Sequence, residues 1–187
     1  MPNQPPNSAT GSAISLAWGA RVSTGFAKTL LGICRDFGWG AEHPSWLMSC
    51  IAFESGETFS ASVRNAAGSG AAGLIQFMPA TAAGLGTTIE NLQLLSAESQ
   101  LSYVRQYFKP YARRIGSLSD MYMAILLPKY VGQPGSSVLF SDGAGYRQNA
   151  GLDASHDGKI TKDEATAKVL AKLQRGLTPG LTATYVL

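Results

Sequence analysis

IAFESGETFSASVRNAAGSGAAGLIQFMPATAAGLG, residues 51 to 86, decides how the rest of the chain is read. It begins as the last turns of an apolar helix, passes Glu54, gives way to a polar and glycine-rich run, and regains order at Gly73-Leu74-Ile75-Gln76-Phe77-Met78-Pro79. Upstream, Pro44 opens a helix in which Leu47, Met48, Ile51 and Ala52 share an apolar face. Glu54 falls in its last turn and Ser55-Gly56 ends it. The run up to Gly73 has no periodicity and predicts an irregular segment or short β-hairpin lining one side of a cleft. Pro79 then restarts a helix that Gly84 and Gly86 stop.

Further outward the periodicity stays helical. Phe26, Leu30, Leu31, Ile33, Cys34 and Phe37 recur at helical spacing until Gly38 and Gly40. Ser96 and Ser99 are both candidate caps for a helix carrying Leu101, Val104, Tyr107 and Phe108, which Pro110 breaks. Another helix is predicted from Leu118 to Leu127, closed by Pro128, and a last one from Asp163 to Leu173. GQPGSSVLFSDGAG, residues 132 to 145, reads as loop. The expectation is a mainly α single domain over residues 13–187, preceded by a disordered tail over residues 1–12.

Composition narrows the class of partner. Apolar residues are 45% and charged residues 14% of the chain, as in a compact folded protein. A net charge of +3 without any Lys/Arg block gives no support to nucleic-acid binding, while a weak positive field favours an acidic polymer. No run approaches the ~20 apolar residues of a membrane span, and the N-terminus has no secretory signal pattern. A soluble monomer is expected, with Cys34 and Cys50 as buried free thiols, a bridge between them being the alternative.

Cleaving a glycosidic bond requires a proton on the leaving oxygen, and a carboxylic acid delivers it near neutral pH only when an apolar site raises its pKa. Glu54 follows Ala52 and Phe53 and sits at a helix C-terminus that disfavours negative charge, and the Leu74-Ile75-Phe77-Met78 cluster is expected to supply a dry wall. A conventional hydrolase adds a second carboxylate. The candidates are Glu57, Glu42 and Asp120; none has an obviously apolar setting, and Glu57 reads as a solvated surface charge.

Residues 51–86 resemble the catalytic core of the soluble lytic transglycosylases, lysozyme-like enzymes that cleave peptidoglycan glycan strands. Glu54-Ser55 matches the Glu-Ser pair that opens the family pattern, and Gly73-Leu74-Ile75-Gln76 matches its Gly-Leu-Met/Ile-Gln element. The resemblance implies that Glu54 is the acid and base, that Ser55 supports its carboxylate and that Gln76 hydrogen-bonds substrate. Gly70 and Gly73 would admit sugar rings close to the backbone. The third family element, Ala-Tyr-Asn, is replaced at its expected distance by Ala124-Ile125-Leu126-Leu127-Pro128. Tyr146 and Asn149, further on, are assigned to the substrate side instead, with Tyr146 holding Glu54. One glutamate then suffices: it protonates the bridging oxygen and, as conjugate base, takes the proton of the muramic C6 hydroxyl, giving a 1,6-anhydro product. A phage lysis or virion-associated enzyme is expected, made in the cytoplasm and acting on the periplasmic wall or carried in the particle. The alternatives are a hydrolytic muramidase (endolysin) and a catalytically silent wall-binding or phage structural module.

A second motif spans residues 153–164. An EF-hand calcium loop takes oxygen ligands at positions 1, 3, 5, 7, 9 and 12 with glycine at 6. Asp153, Ser155, Asp157, the Lys159 carbonyl, Thr161 and Glu164 meet that spacing, Gly158 fills the turn, and serine replaces the usual Asp or Asn at the third position. A structural calcium ion is expected, the alternative being a hydrophilic turn before a helix. The glycine-rich segment ahead predicts a one-sided loop lacking its incoming helix. His43 and His156 are too few for zinc, and Trp18, Trp39 and Trp46 are expected at the core or its rim.

Overall fold

The computed structural model describes residues 13–66 and 68–186, so the expected tail lies outside the described residues. In chain order the elements are β1 (Ala13–Leu16), α1 (Thr24–Asp36), α2 (His43–Glu54), α3 (Pro79–Gly84), α4 (Ile89–Leu94), α5 (Ala97–Phe108), α6 (Leu118–Leu126), β2 (Val138–Phe140), α7 (Gly143–Asn149), β3 (Ile160–Thr161), α8 (Lys162–Gly176) and β4 (Ala183–Val186). The molecule is mainly helical, with β1 pairing β4 and β2 pairing β3, both antiparallel. No described helix is long and apolar enough to cross a membrane.

Helix α2 is the axis of the core. A helix apolar on every side must be enclosed, and Leu47, Met48, Cys50, Ile51 and Ala52 are all fully buried. It packs against α8, α6, α1 and β1. Each such aliphatic side chain withdrawn from water contributes roughly 1.5–3 kcal/mol, so the helix that ends in Glu54 is among the best-fixed parts of the fold. Around it, Ser23, Ser96 and Ser117 cap α1, α5 and α6 by accepting from Phe26, Ser99 and Asp120 backbone N–H groups. Of the two serines proposed to cap α5, Ser96 does so and Ser99 lies inside the first turn.

Helix α8 is locked at its start. Thr161 and Glu164 form a reciprocal capping box. Lys162, 2% exposed, donates to Asp120 Oδ1 at 2.7 Å and to the Gln133 carbonyl at 2.8 Å. A buried cation stripped of its partner costs about 3–5 kcal/mol, so this bond fixes α8 against α6. Burial alone would raise the Asp120 carboxyl, but bonds from Lys162, Gly132 N–H and Ser117 outweigh it and hold the pKa below its ordinary value.

Several elements depart from expectation. The loop predicted over residues 132–145 contains β2, because Val138-Leu139-Phe140 buries Leu139 and finds a partner strand in β3. Helix α7 forms where glycine content argued against a helix, and it has no buried residue. Tyr146 holds it, packing partly buried against the core while its Oη donates to Asp153 Oδ2 at 2.7 Å; within the helix Asn149 Nδ2 donates to the Gly145 carbonyl at 2.9 Å. Helix α4 and the β1–β4 pair were not foreseen, being short. Both cysteines are free and buried, as expected. Burial pushes the Cys34 thiol up to about 12 and the Cys50 thiol well above its ordinary value.

Candidate active site

Glu54 lies where two halves of one groove meet. One half, about 420 Å³, is lined by Phe53, Tyr122, Leu126, Leu152 and Lys168, with Gln148, Asn149 and Gly151. The other, about 580 Å³, runs past Gly68, Ser69, Ile75, Gln76 and Met78. Glu54, Leu126, Gln148 and Asn149 belong to both. Among the described residues Glu54 makes no hydrogen bond or ion pair. Burial alone pushes its pKa from 4.5 up to about 8. It is therefore predominantly protonated at neutral pH, as a proton donor must be.

Among the described lining residues no second carboxylate enters the groove. Glu57, read from sequence as solvated, is instead clamped by Lys172 and, at 3.1 Å, by Arg175 of α8. Its left-handed backbone, φ 67°, turns it away from the direction α2 would give. Asp120 is committed to Lys162, and Glu42 stands at the opposite end of α2.

Two tyrosines feel the Glu54 charge: burial raises the pKa of both Tyr107 and Tyr122, with Glu54 adding to it. Tyr107 spends its hydroxyl on the Ala124 carbonyl at 2.6 Å. Tyr122 lines the groove edge-on to Phe53, ring centroids 5.5 Å apart, and its hydroxyl has no hydrogen-bond partner among the described residues. Tyr146, assigned from sequence to hold Glu54, binds Asp153 and does not line the groove. Its pKa is raised by that hydrogen bond. Tyr122 is thus the residue that sequence reading missed; its signal was a tyrosine inside an apolar helix, whose hydroxyl must reach a polar site.

The other expectations divide. Gln76 lines the groove with a left-handed backbone, φ 51°, while its Nε2 donates to the Gly73 and Val63 carbonyls at 3.1 and 3.3 Å. Such a conformation costs of order 1 kcal/mol in a non-glycine residue, and these bonds hold it. The segment around it is hairpin-like, with bridges Arg64↔Ala72 and Ala72↔Phe77. Ser55 does not touch the carboxylate; its Oγ accepts from Phe59 N–H at 3.1 Å and shapes the turn after α2. Gly73 serves packing rather than a sugar ring: a Cβ there would lie 2.5 Å from Gln100 Oε1, which accepts from Leu74 N–H. Gln100 is fully buried and ties this segment to α4 through the Leu92 carbonyl. Gly70 borders a separate cavity with Arg64 and Pro79. Phe77 is core, whereas Met78 is 47% exposed on the groove. Trp18 and Trp39 are anchored to the Lys172 and Ala112 carbonyls, away from the groove.

The 153–164 loop has the turn its spacing required, Gly158 at φ 81°, and Asp153 Oδ2 accepts from Gly158 N–H at 3.0 Å. Asp157 accepts from Lys159 N–H, and Glu164 from Ser155 and Thr161 N–H. The backbone bond from Thr161 leads those that lower Glu164 to about 2, and the Tyr146 bond leads those that lower Asp153. With the carboxylates turned to backbone, no cluster of three His, Cys, Asp or Glu side chains forms among the described residues. Contrary to the one-sided expectation, α7 precedes the loop and α8 follows it.

No protein-family model, curated protein or solved structure matches this chain. The groove's own geometry therefore carries the functional reading.

Proposed function

We propose that the protein cleaves peptidoglycan glycan strands as a lytic transglycosylase, with Glu54 as the one acid and base. The observation that carries this reading is a partly buried, unpaired carboxyl, pKa about 8, as the only acid among the described residues lining an open groove. Glu54 donates its proton to the oxygen bridging N-acetylmuramic acid and N-acetylglucosamine. The C1–O bond breaks and the glucosamine leaves with that proton on its 4-oxygen. The muramic C6 hydroxyl then bonds to C1 and gives its proton back to Glu54. No water is consumed, which accords with a groove whose described lining offers no second carboxylate to activate one. In this reading Tyr122, which lines the groove beside Glu54, donates to its carboxylate once it is ionised, and Gln76, Gln148 and Asn149 bond sugar hydroxyl and acetamido groups. The lysozyme-like family supplies the analogy, through residues 51–86.

Mass spectrometry of the sugars released from purified sacculi tests this. Anhydro-muramic ends are expected. Reducing ends would make it a hydrolytic muramidase, and strand binding without release would make it a silent wall-binding module.

We further propose that residues 153–164 take a structural calcium ion through Asp153, Ser155, Asp157, the Lys159 carbonyl, Thr161 and Glu164. The all-oxygen donor set, the Gly158 turn and the helices on both sides support this, provided Glu164 leaves its capping bonds. The ion would supply charge neutralisation that fixes the loop between α7 and α8, and it takes no part in the chemistry.

A further inference from the structure

Helix α8 carries four basic residues, Lys162, Lys168, Lys172 and Arg175. Three are paired: Lys162 with Asp120, Lys172 and Arg175 with Glu57. Lys168 is the exception among the described residues, and it is the one that lines the groove. Glu164, one turn earlier and at the spacing of a helix ion pair, turns its carboxylate to Ser155 and Thr161 instead. Nor does Lys168 hold Glu54 ionised, because burial is the sole cause of that group's shift. The Lys168 side of the groove is otherwise uncharged apart from Glu54, walled by Phe53, Tyr122, Leu126 and Leu152. An unpaired cation beside an apolar wall suits an anionic group carried on a partly apolar substituent.

We propose that Lys168 is a specificity residue that binds a carboxylate on the muramyl substituent of the strand. This rests on the reading of the groove as a peptidoglycan site. Two sources offer that chemistry: the free lactyl carboxylate of a peptide-free strand, and the carboxylates of an attached stem peptide. In the second case the lactyl group is an amide and the negative charge lies further out along the peptide.

Three substrates separate the sources: peptide-bearing strands, strands stripped of peptide by an amidase, and stripped strands whose lactyl carboxyl has been converted to a neutral amide. Lys168→Gln is expected to raise KM about three- to fivefold where the recognised carboxylate is present, with kcat little changed, because Lys168 is exposed. Lys168→Glu is expected to raise it further and Lys168→Arg to restore it. An effect on stripped strands alone assigns the lactyl carboxylate; an effect on peptide-bearing strands alone assigns the stem. None of the three variants should alter KM on the amidated strands. Equal KM for wild type and Lys168→Gln on all three overturns the proposal. Binding of the same strands is measured in parallel in a Glu54→Gln background, with and without Lys168→Gln. If wild type cleaves nothing, the transglycosylase reading fails, while a charge-dependent loss of binding still upholds Lys168 and an unchanged dissociation constant overturns it.

Discussion

Replacing Glu54 by glutamine is expected to remove activity and to make the protein more stable. The unfolded chain ionises this carboxyl near 4.5, while the native state holds its proton to about 8. Between those values the native state binds more protons, so stability is full below the lower one and falls as pH rises through the upper one. The slope is about 1.4 kcal/mol per pH unit, which sets a ceiling of about 5 kcal/mol by pH 9. Because the groove opens to solvent and water screens part of this, we expect about 2–3 kcal/mol. Glutamine keeps the shape and has no proton to lose, so its stability should lack that slope. Urea unfolding of both proteins at pH 4, 7 and 9, followed by tryptophan fluorescence, should give near-equal stabilities at pH 4 and a widening advantage for Glu54→Gln above it. In parallel, wild-type turnover should fall about tenfold per pH unit above pH 8 as the acid ionises, and the variant should release no anhydro sugar at any pH. Stability curves that run parallel from pH 4 to pH 9 would refute the reasoning, since they would mean a solvated carboxyl with an ordinary pKa.

Tyr122→Phe should lower kcat about 10- to 100-fold with little change in melting temperature, because the hydroxyl it deletes has no partner among the described residues. Tyr107→Phe should do the reverse, losing its bond to the Ala124 carbonyl for about 1 kcal/mol of stability while keeping turnover. Differential scanning fluorimetry and release of anhydro sugar read both; equal kinetics for the two variants would dismiss Tyr122 as the partner of Glu54. For the 153–164 loop, calcium at a hundred times its dissociation constant should stabilise the protein by about 2.7 kcal/mol, a chelator should reverse it, and Asp157→Ala should abolish the response. A melting temperature indifferent to both calcium and chelator would leave the loop as a hydrogen-bonded turn.

What the sequence made legible was local. The limits of α2, the restart at Pro79, a serine cap at Ser96 or Ser99 and the burial of Cys34 and Cys50 all follow from spacing, caps and breakers within a few residues. Glu54 was legible only through the motif of residues 51–86, because the last turn of α2 leaves Phe53 and Glu54 partly exposed and its position alone reads as a helix-terminal surface charge. Partners across the fold were not legible. Tyr146 was expected to hold Glu54 because it lay near an asparagine at a plausible distance along the chain, yet α7 points it at Asp153, and α6 brings Tyr122 to the groove. Gly73 suggested an opening for sugar until Gln100, 27 positions later, filled the space beside it. Glu54 and Glu57 show the same limit most plainly. Three positions apart in one sequence motif, they differ because a left-handed turn sends Glu57 to two cations on α8, 115 residues away for Lys172, while Glu54 faces a groove in which no cation pairs with it among the described residues. The first becomes a brace between segments; the second keeps a proton that it can give away.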